Sequence, residues 1–175
     1  LKENLKLNPK NYYAKMKLNC EKLILKKVKK EFIIFSFFTV YGPFGRPDMF
    51  IHKFLNNIKS KKQTKIYNFG KNFRDFTYVE DVVKILFSSI TKKVSSKIIN
   101  ICRSKPIETL KLIKLIKNII KIKDLNISFI EPQLGEMLKT YGDNNKLKKN
   151  FGKIKFTNIE YGITKTINIF NKFKM

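Results

Sequence analysis

The nine residues from Phe32 to Val40 are apolar apart from Ser36 and Thr39, and a loop with two glycines and two prolines, Tyr41 to Pro47, follows them. A run this uniform shows no period-two alternation, so it reads as a strand covered on both faces, the kind found in parallel sheets between helices. It falls far short of the ~20 residues a membrane helix needs. On its N-terminal side, Tyr13, Met16, Cys20, Leu23, Ile24 and Val28 recur at helical spacing, and Pro9 with Asn11 supplies a start signal, which predicts a helix from Tyr12 to about Glu31.

The remainder alternates in the same manner. Helical patterns cover about Asp48 to Lys59, Glu80 to Ser89, Glu108 to Ile120 and, more briefly, Asn144 to Asn150. Lys65 to Phe69, Lys97 to Cys102 and Leu125 to Ile130 read as short strands. A capping box, Thr157-Asn158-Ile159-Glu160, opens a last helix through Phe170. Strands separated by helices predict an α/β chain with parallel pairing. The seven glycines fall at 42, 45, 70, 135, 142, 152 and 162, so no Gly-rich strand-to-helix turn for a pyrophosphate is present in these 175 residues.

Charge and rare residues narrow the function classes. A net charge of +25 would favour nucleic acid or an acidic membrane if it were clustered, but the lysines are spread from Lys2 to Lys174, mostly in pairs between apolar residues. That distribution describes solvated helix faces, and a nucleic-acid partner is not expected. The single His52 has no second histidine at ligand spacing, and Cys20 and Cys102 form no CxxC pair, so no metal site is readable. Few cysteines and no leader-like start point to a reducing cytoplasm.

Tyr13 and Lys17 stand four residues apart, on one helix face. A phenol titrates too high to serve as a base at neutral pH, and a neighbouring ammonium favours phenolate. On spacing alone, a lysine-rich helix produces such a pair by chance, and a core tyrosine beside a surface lysine is the plainer account.

The blocks that follow change that reading. Phe37-Phe38-Thr39-Val40-Tyr41-Gly42-Pro43-Phe44-Gly45-Arg46-Pro47-Asp48-Met49 closely resembles the motif after the catalytic helix of UDP-glucuronate 4-epimerases, members of the NAD-dependent epimerase/dehydratase family of extended short-chain dehydrogenases. Tyr67 to Val83, with Arg74-Asp75-Phe76 at its centre, resembles the next block of that family. Gln133-Leu134-Gly135-Glu136 with Thr140-Tyr141-Gly142-Asp143 resembles its nucleotide-binding segment. Ser36 stands where the family usually has arginine, Leu134 where it has proline, and Glu136 where it has aspartate.

The resemblance implies the C-terminal part of a Rossmann-like parallel sheet plus a small substrate-binding α/β domain. Residues 1–64 would be the remainder of the NAD-binding domain with the catalytic helix, and 65–175 mainly the substrate region, interleaved with the sheet. It further implies that Tyr13 is the acid/base and that Lys17 lowers its pKa and bonds the cofactor ribose, with Phe38 near the nicotinamide. Thr39 and Arg46 would line the substrate side, Arg74 would meet the diphosphate, and Gln133 and Glu136 would lie near the nucleotide. The implied activity is C4 inversion of a UDP-sugar by transient oxidation, in a homodimer, with this chain inactive alone. A related dehydratase or a non-catalytic remnant is the alternative.

Overall fold

The computed structural model describes residues 1–9, 11–95, 97–132 and 137–173. Helix α1 (Tyr12–Lys27) starts where Asn11 caps it, the side chain accepting the Ala14 N–H at 2.8 Å. It stops four residues short of the expected end, because Val28 turns extended and Lys29-Lys30-Glu31 has no apolar residue to hold a further turn. None of its residues is buried.

The Phe32 to Val40 run forms two strands rather than one. β1 (Ile34–Phe37) and β2 (Thr39–Tyr41) separate at Phe38, where the Val40 N–H bonds the Phe38 carbonyl at 3.0 Å and kinks the chain in a three-residue turn. β1 pairs in parallel with β6 (Ile98–Ile101), while β2 pairs in parallel with β5 (Phe76–Tyr78). β1 is also not covered on both faces within this chain: Ile34, Phe35 and Ser36 are half-buried, and Phe37 is exposed. β3 (Thr64–Tyr67) pairs in parallel with β8 (Ile127–Ile130), and β4 (Phe73–Arg74) runs antiparallel to β7 (Ile107–Glu108).

Among the described residues five further α-helices complete the layers: α2 (Phe50–Lys59), α3 (Val79–Thr91), α4 (Thr109–Ile120), α5 (Asn145–Phe151) and α6 (Ile159–Lys172). The cap of α6 is Asn158, whose side chain accepts the Glu160 N–H at 2.8 Å. Thr157, the expected cap, is held elsewhere by Asp81. One apolar cluster joins Tyr41, Phe54, Ile66, Phe76, Ile116 and Ile163, and so gathers β2, α2, β3, β5, α4 and α6. A second joins Val82, Ile85, Ile99, Ile101, Leu147 and Phe151, with Phe35 of β1 against it. Both draw on residues from either side of position 64. No described helix is long and apolar enough to cross a membrane.

Candidate functional site

The first cluster carries a cleft of about 250 Å³. Thr39 and Tyr41 of β2 line it from one strand, Gly45, Arg46, Met49 and the start of α2 from the following segment, and Lys65, Asn72 and Arg74 are among the other lining residues. Three of the residues singled out in the sequence, Thr39, Arg46 and Arg74, are thus brought together, and Lys65 adds another cation. The β4 side is held in place through backbone: the Asn72 carbonyl accepts both the N–H and the hydroxyl of Thr109, and Arg74 Nη1 donates to the Phe73 carbonyl at 3.0 Å.

Arg46 makes a two-pronged ion pair with Asp48, Nε to Oδ1 at 3.0 Å and Nη2 to Oδ2 at 2.6 Å. That hydrogen bond, ahead of the charge itself, raises the Arg46 pKa and lowers that of Asp48, and the Tyr13 phenol makes a smaller contribution at Arg46. The pair is solvent-exposed, so water and salt screen it and an incoming anion can exchange for Asp48.

Asp75 stands between two residues of the cleft, Arg74 and Phe76. Its buried carboxylate does not turn to Arg74; Oδ2 accepts the Ser104 N–H at 3.1 Å and the Gly142 N–H at 3.2 Å, and Oδ1 has no hydrogen-bond partner among the described residues. Burial raises its pKa, opposed by those backbone donors and by the Arg103 charge.

A second, open cleft of about 630 Å³ contains Tyr13 and Lys17 on one wall and Ser36 and Phe37 of β1 on another. Tyr13 is 73% exposed, so it is not a core tyrosine. Phe38 points away: its ring stands against Gly142, beside Cys102, and Phe37 rather than Phe38 lines this cleft. Gln133 and Glu136 lie outside the described residues.

His52 is the residue the sequence did not reveal. Its buried ring lines the first cleft, and its Nε2 lies 2.8 Å from the Gly42 carbonyl oxygen and 3.1 Å from the Gly45 nitrogen. The signal available was a Gly-Pro-Phe-Gly turn with a histidine seven residues beyond its last glycine.

Residues 1–102 match the model of the NAD dependent epimerase/dehydratase family. The chain belongs to this family. Among relatives, an uncharacterised protein of Methanocaldococcus jannaschii is 40% identical over 134 residues, which are 77% of this chain and 41% of that protein. A UDP-glucuronate 4-epimerase of Thermodesulfobacterium geofontis is 33% identical over 136 residues, 77% of this chain and 42% of its own length. The chain therefore spans less than half the length of these two family members. The solved UDP-glucuronic acid 4-epimerase of Bacillus cereus, in complex with UDP-glucuronic acid and NAD, superposes with a TM-score of 0.88 at 25% identity, over 98% of this chain and 56% of that one. The α/β arrangement with parallel pairs is the Rossmann-like fold of these epimerases and dehydratases.

Proposed function

We propose that this chain is the substrate-holding and proton-transferring part of an NAD-dependent nucleotide-sugar 4-epimerase whose substrate is UDP-glucuronate or a close relative. The observation that carries the reading is the convergence of Thr39, Arg46 and Arg74 on one cleft. A cleft with two guanidinium groups and the Lys65 ammonium suits a ligand with a diphosphate and a carboxylate.

The residues present fit the nicotinamide-ribose end of NAD, since a hydroxyl and an ammonium, on Tyr13 and Lys17, line one open cleft together. NAD, when bound, supplies the reversible oxidation at C4 of the sugar. Tyr13, as phenolate, takes the proton of the 4-hydroxyl and later returns it, and Lys17 stabilises the phenolate charge and bonds the ribose. Arg46 exchanges Asp48 for the sugar carboxylate, Arg74 holds the diphosphate, and Thr39 orients the sugar. Gln133 and Glu136 at the nucleotide complete the proposed set, and Phe37, which lines the Tyr13 cleft, takes the place beside the nicotinamide that the motif assigns to Phe38. The unburied apolar face of α1 favours association with a second copy, whereas α2 buries Ile51, Phe54 and Leu55 within its own chain. Because the dinucleotide is held chiefly at a Gly-rich turn, the chain alone is expected to bind NAD weakly and to show no turnover.

Calorimetric titration with UDP-glucuronate tests the cleft. Binding that weakens about ten-fold or more in Arg74→Ala is expected, and absence of binding by any UDP-sugar refutes the reading. Supplying the missing half of the sheet should restore C4 inversion. A dehydrated product in its place would move the chain to the dehydratase side of the family.

A further inference from the structure

The turn that leads into Arg46 is closed in an unusual way. Pro43 and Phe44 occupy its central positions, and Phe44 holds φ at 57°, a conformation in which glycine or asparagine is the common residue. Such a turn ordinarily closes with a bond from the N–H of its fourth residue to the carbonyl of its first. Here the two groups, the Gly45 N–H and the Gly42 carbonyl, meet at a single atom, His52 Nε2. The ring has nowhere else to go. It is 5% exposed and set edge-on to Phe170 of α6, and a side chain on Gly45 would press against it.

A ring nitrogen carries either a proton or a lone pair in the ring plane, so Nε2 serves one of these partners at a time. Bare, it accepts from Gly45 and faces the Gly42 oxygen lone pair to lone pair. Protonated, it donates to Gly42 and presents its proton to that of Gly45. Each state satisfies one end of the turn and repels the other.

We propose that His52 is a positioning residue for Arg46, a proton-operated clasp that secures the Gly45-Arg46 segment while Nε2 is bare and releases it when the imidazolium forms. Arg46 follows Gly45 directly and lines the cleft, and its carbonyl accepts the Met49 N–H at 3.1 Å, so release at Gly45 reaches the start of α2. The charged and titratable groups on the elements around the ring are Arg46 and Asp48 in the loop, Lys53 and Lys59 on α2, Glu160, Tyr161, Lys165 and Lys172 on α6, and the Tyr41 phenol on β2. Arg46 and Asp48 pair with each other, Lys59 lies 5.6 Å from the Phe170 ring, and burial raises the Tyr41 pKa, so that phenol stays neutral.

His52 is the only histidine in the chain, so its ring resonances are unambiguous. The experiment is a nuclear magnetic resonance titration from about pH 5 to about pH 9, following the two ring nitrogens and the Gly45 and Met49 amides. The expected result is the Nδ1–H tautomer at high pH, with the Gly45 and Met49 amides losing about ten-fold in protection, measured against the intrinsic exchange rate at each pH, after protonation and sharing the midpoint of the ring. His52→Gln supplies an acceptor and a donor at once, and should keep Gly45 protected across the range. A neutral ring in the Nε2–H tautomer, or a Gly45 amide indifferent to the ring's titration, overturns the clasp. A Met49 amide that stays fixed while Gly45 responds overturns its link to Arg46. The ligand arm rests on the proposed function: UDP-glucuronate should bind several-fold more weakly on the acid side in the wild type and equally on both sides in His52→Gln. If it binds at neither pH, the epimerase reading fails while the amide measurements still decide the clasp.

Discussion

The Asp81 carboxylate holds Thr157 by both of its donors, taking the backbone N–H on Oδ2 at 2.7 Å and the hydroxyl on Oδ1 at 2.9 Å. Seventy-six residues separate the two in sequence, and the contact ties the first turn of α3 to the segment that enters α6. Asp81→Ala should lower stability by about 3 kcal/mol and Thr157→Val by about 1.5 kcal/mol. Urea unfolding of both variants and the double variant checks this. Losses that add without coupling would show that the pair does not act as a unit.

Asp75 predicts an opposite kind of pH dependence from a paired surface carboxylate. Burial holds its pKa above the ordinary 3.8. Its stabilising contribution is therefore fully present below pH 3.8 and is lost as pH rises through the higher folded-state value. Asp75→Asn keeps an acceptor for Ser104 and Gly142 and removes the titration. Urea midpoints across the acid range should show the wild type losing ground to this variant as pH rises, and a constant difference would contradict the assignment.

Gly162 lies against the Tyr41 hydroxyl, which is buried and has no hydrogen-bond partner among the described residues. A methyl group at 162 would overlap that oxygen, so Gly162→Ala should cost about 2 kcal/mol. Tyr41→Phe removes an unsatisfied polar atom and should be neutral or stabilising by about 1 kcal/mol. Combined, the two should recover part of the loss in thermal unfolding. A double variant no better than Gly162→Ala would place the strain elsewhere.

The two cysteines should differ sharply toward a thiol reagent. Cys20 is exposed on α1, whereas Cys102 is fully buried, and burial pushes its thiol up to about 12. Native protein should take up one equivalent of maleimide quickly and the second at least about a hundred-fold more slowly. Equal rates would mean that the core around Ile99, Ile101 and Cys102 opens readily.

For the proposed chemistry, Tyr13→Phe in the protein completed at its N-terminus should lower turnover by about a hundred-fold or more. Folding should be unchanged, because the Tyr13 ring is mostly exposed. Near-normal turnover would remove Tyr13 from the role of acid and base.

Periodicity made the helices readable, since α2, α4 and α6 each turn one apolar stripe to the core. The short strands were harder. β2 and β5 are three residues each, too short for alternation to register, and the partner exchange at Phe38 hides inside a run apolar on both sides. Thr157 and Asn158 are equally able to cap a helix, and the choice between them rests on Asp81, a contact that no local pattern contains. Thr39, Arg46 and Arg74, which share one cleft, stand out through motif resemblance and not through pattern. The place of His52 is not legible from ligand spacing, because its partners are the backbone groups of Gly42 and Gly45.

Phe37 borders the cleft that contains Tyr13, and Thr39 borders the one that contains Arg46 and Arg74. Two residues of extended chain span at most about 7 Å, and the kink at Phe38 shortens even that. The backbone here is a ruler with a fixed scale. The offset between the points where this strand borders the two clefts is set by covalent geometry, so side-chain substitutions around either cleft leave it unchanged, whereas one residue inserted at Phe38 would put Thr39 on the wrong face.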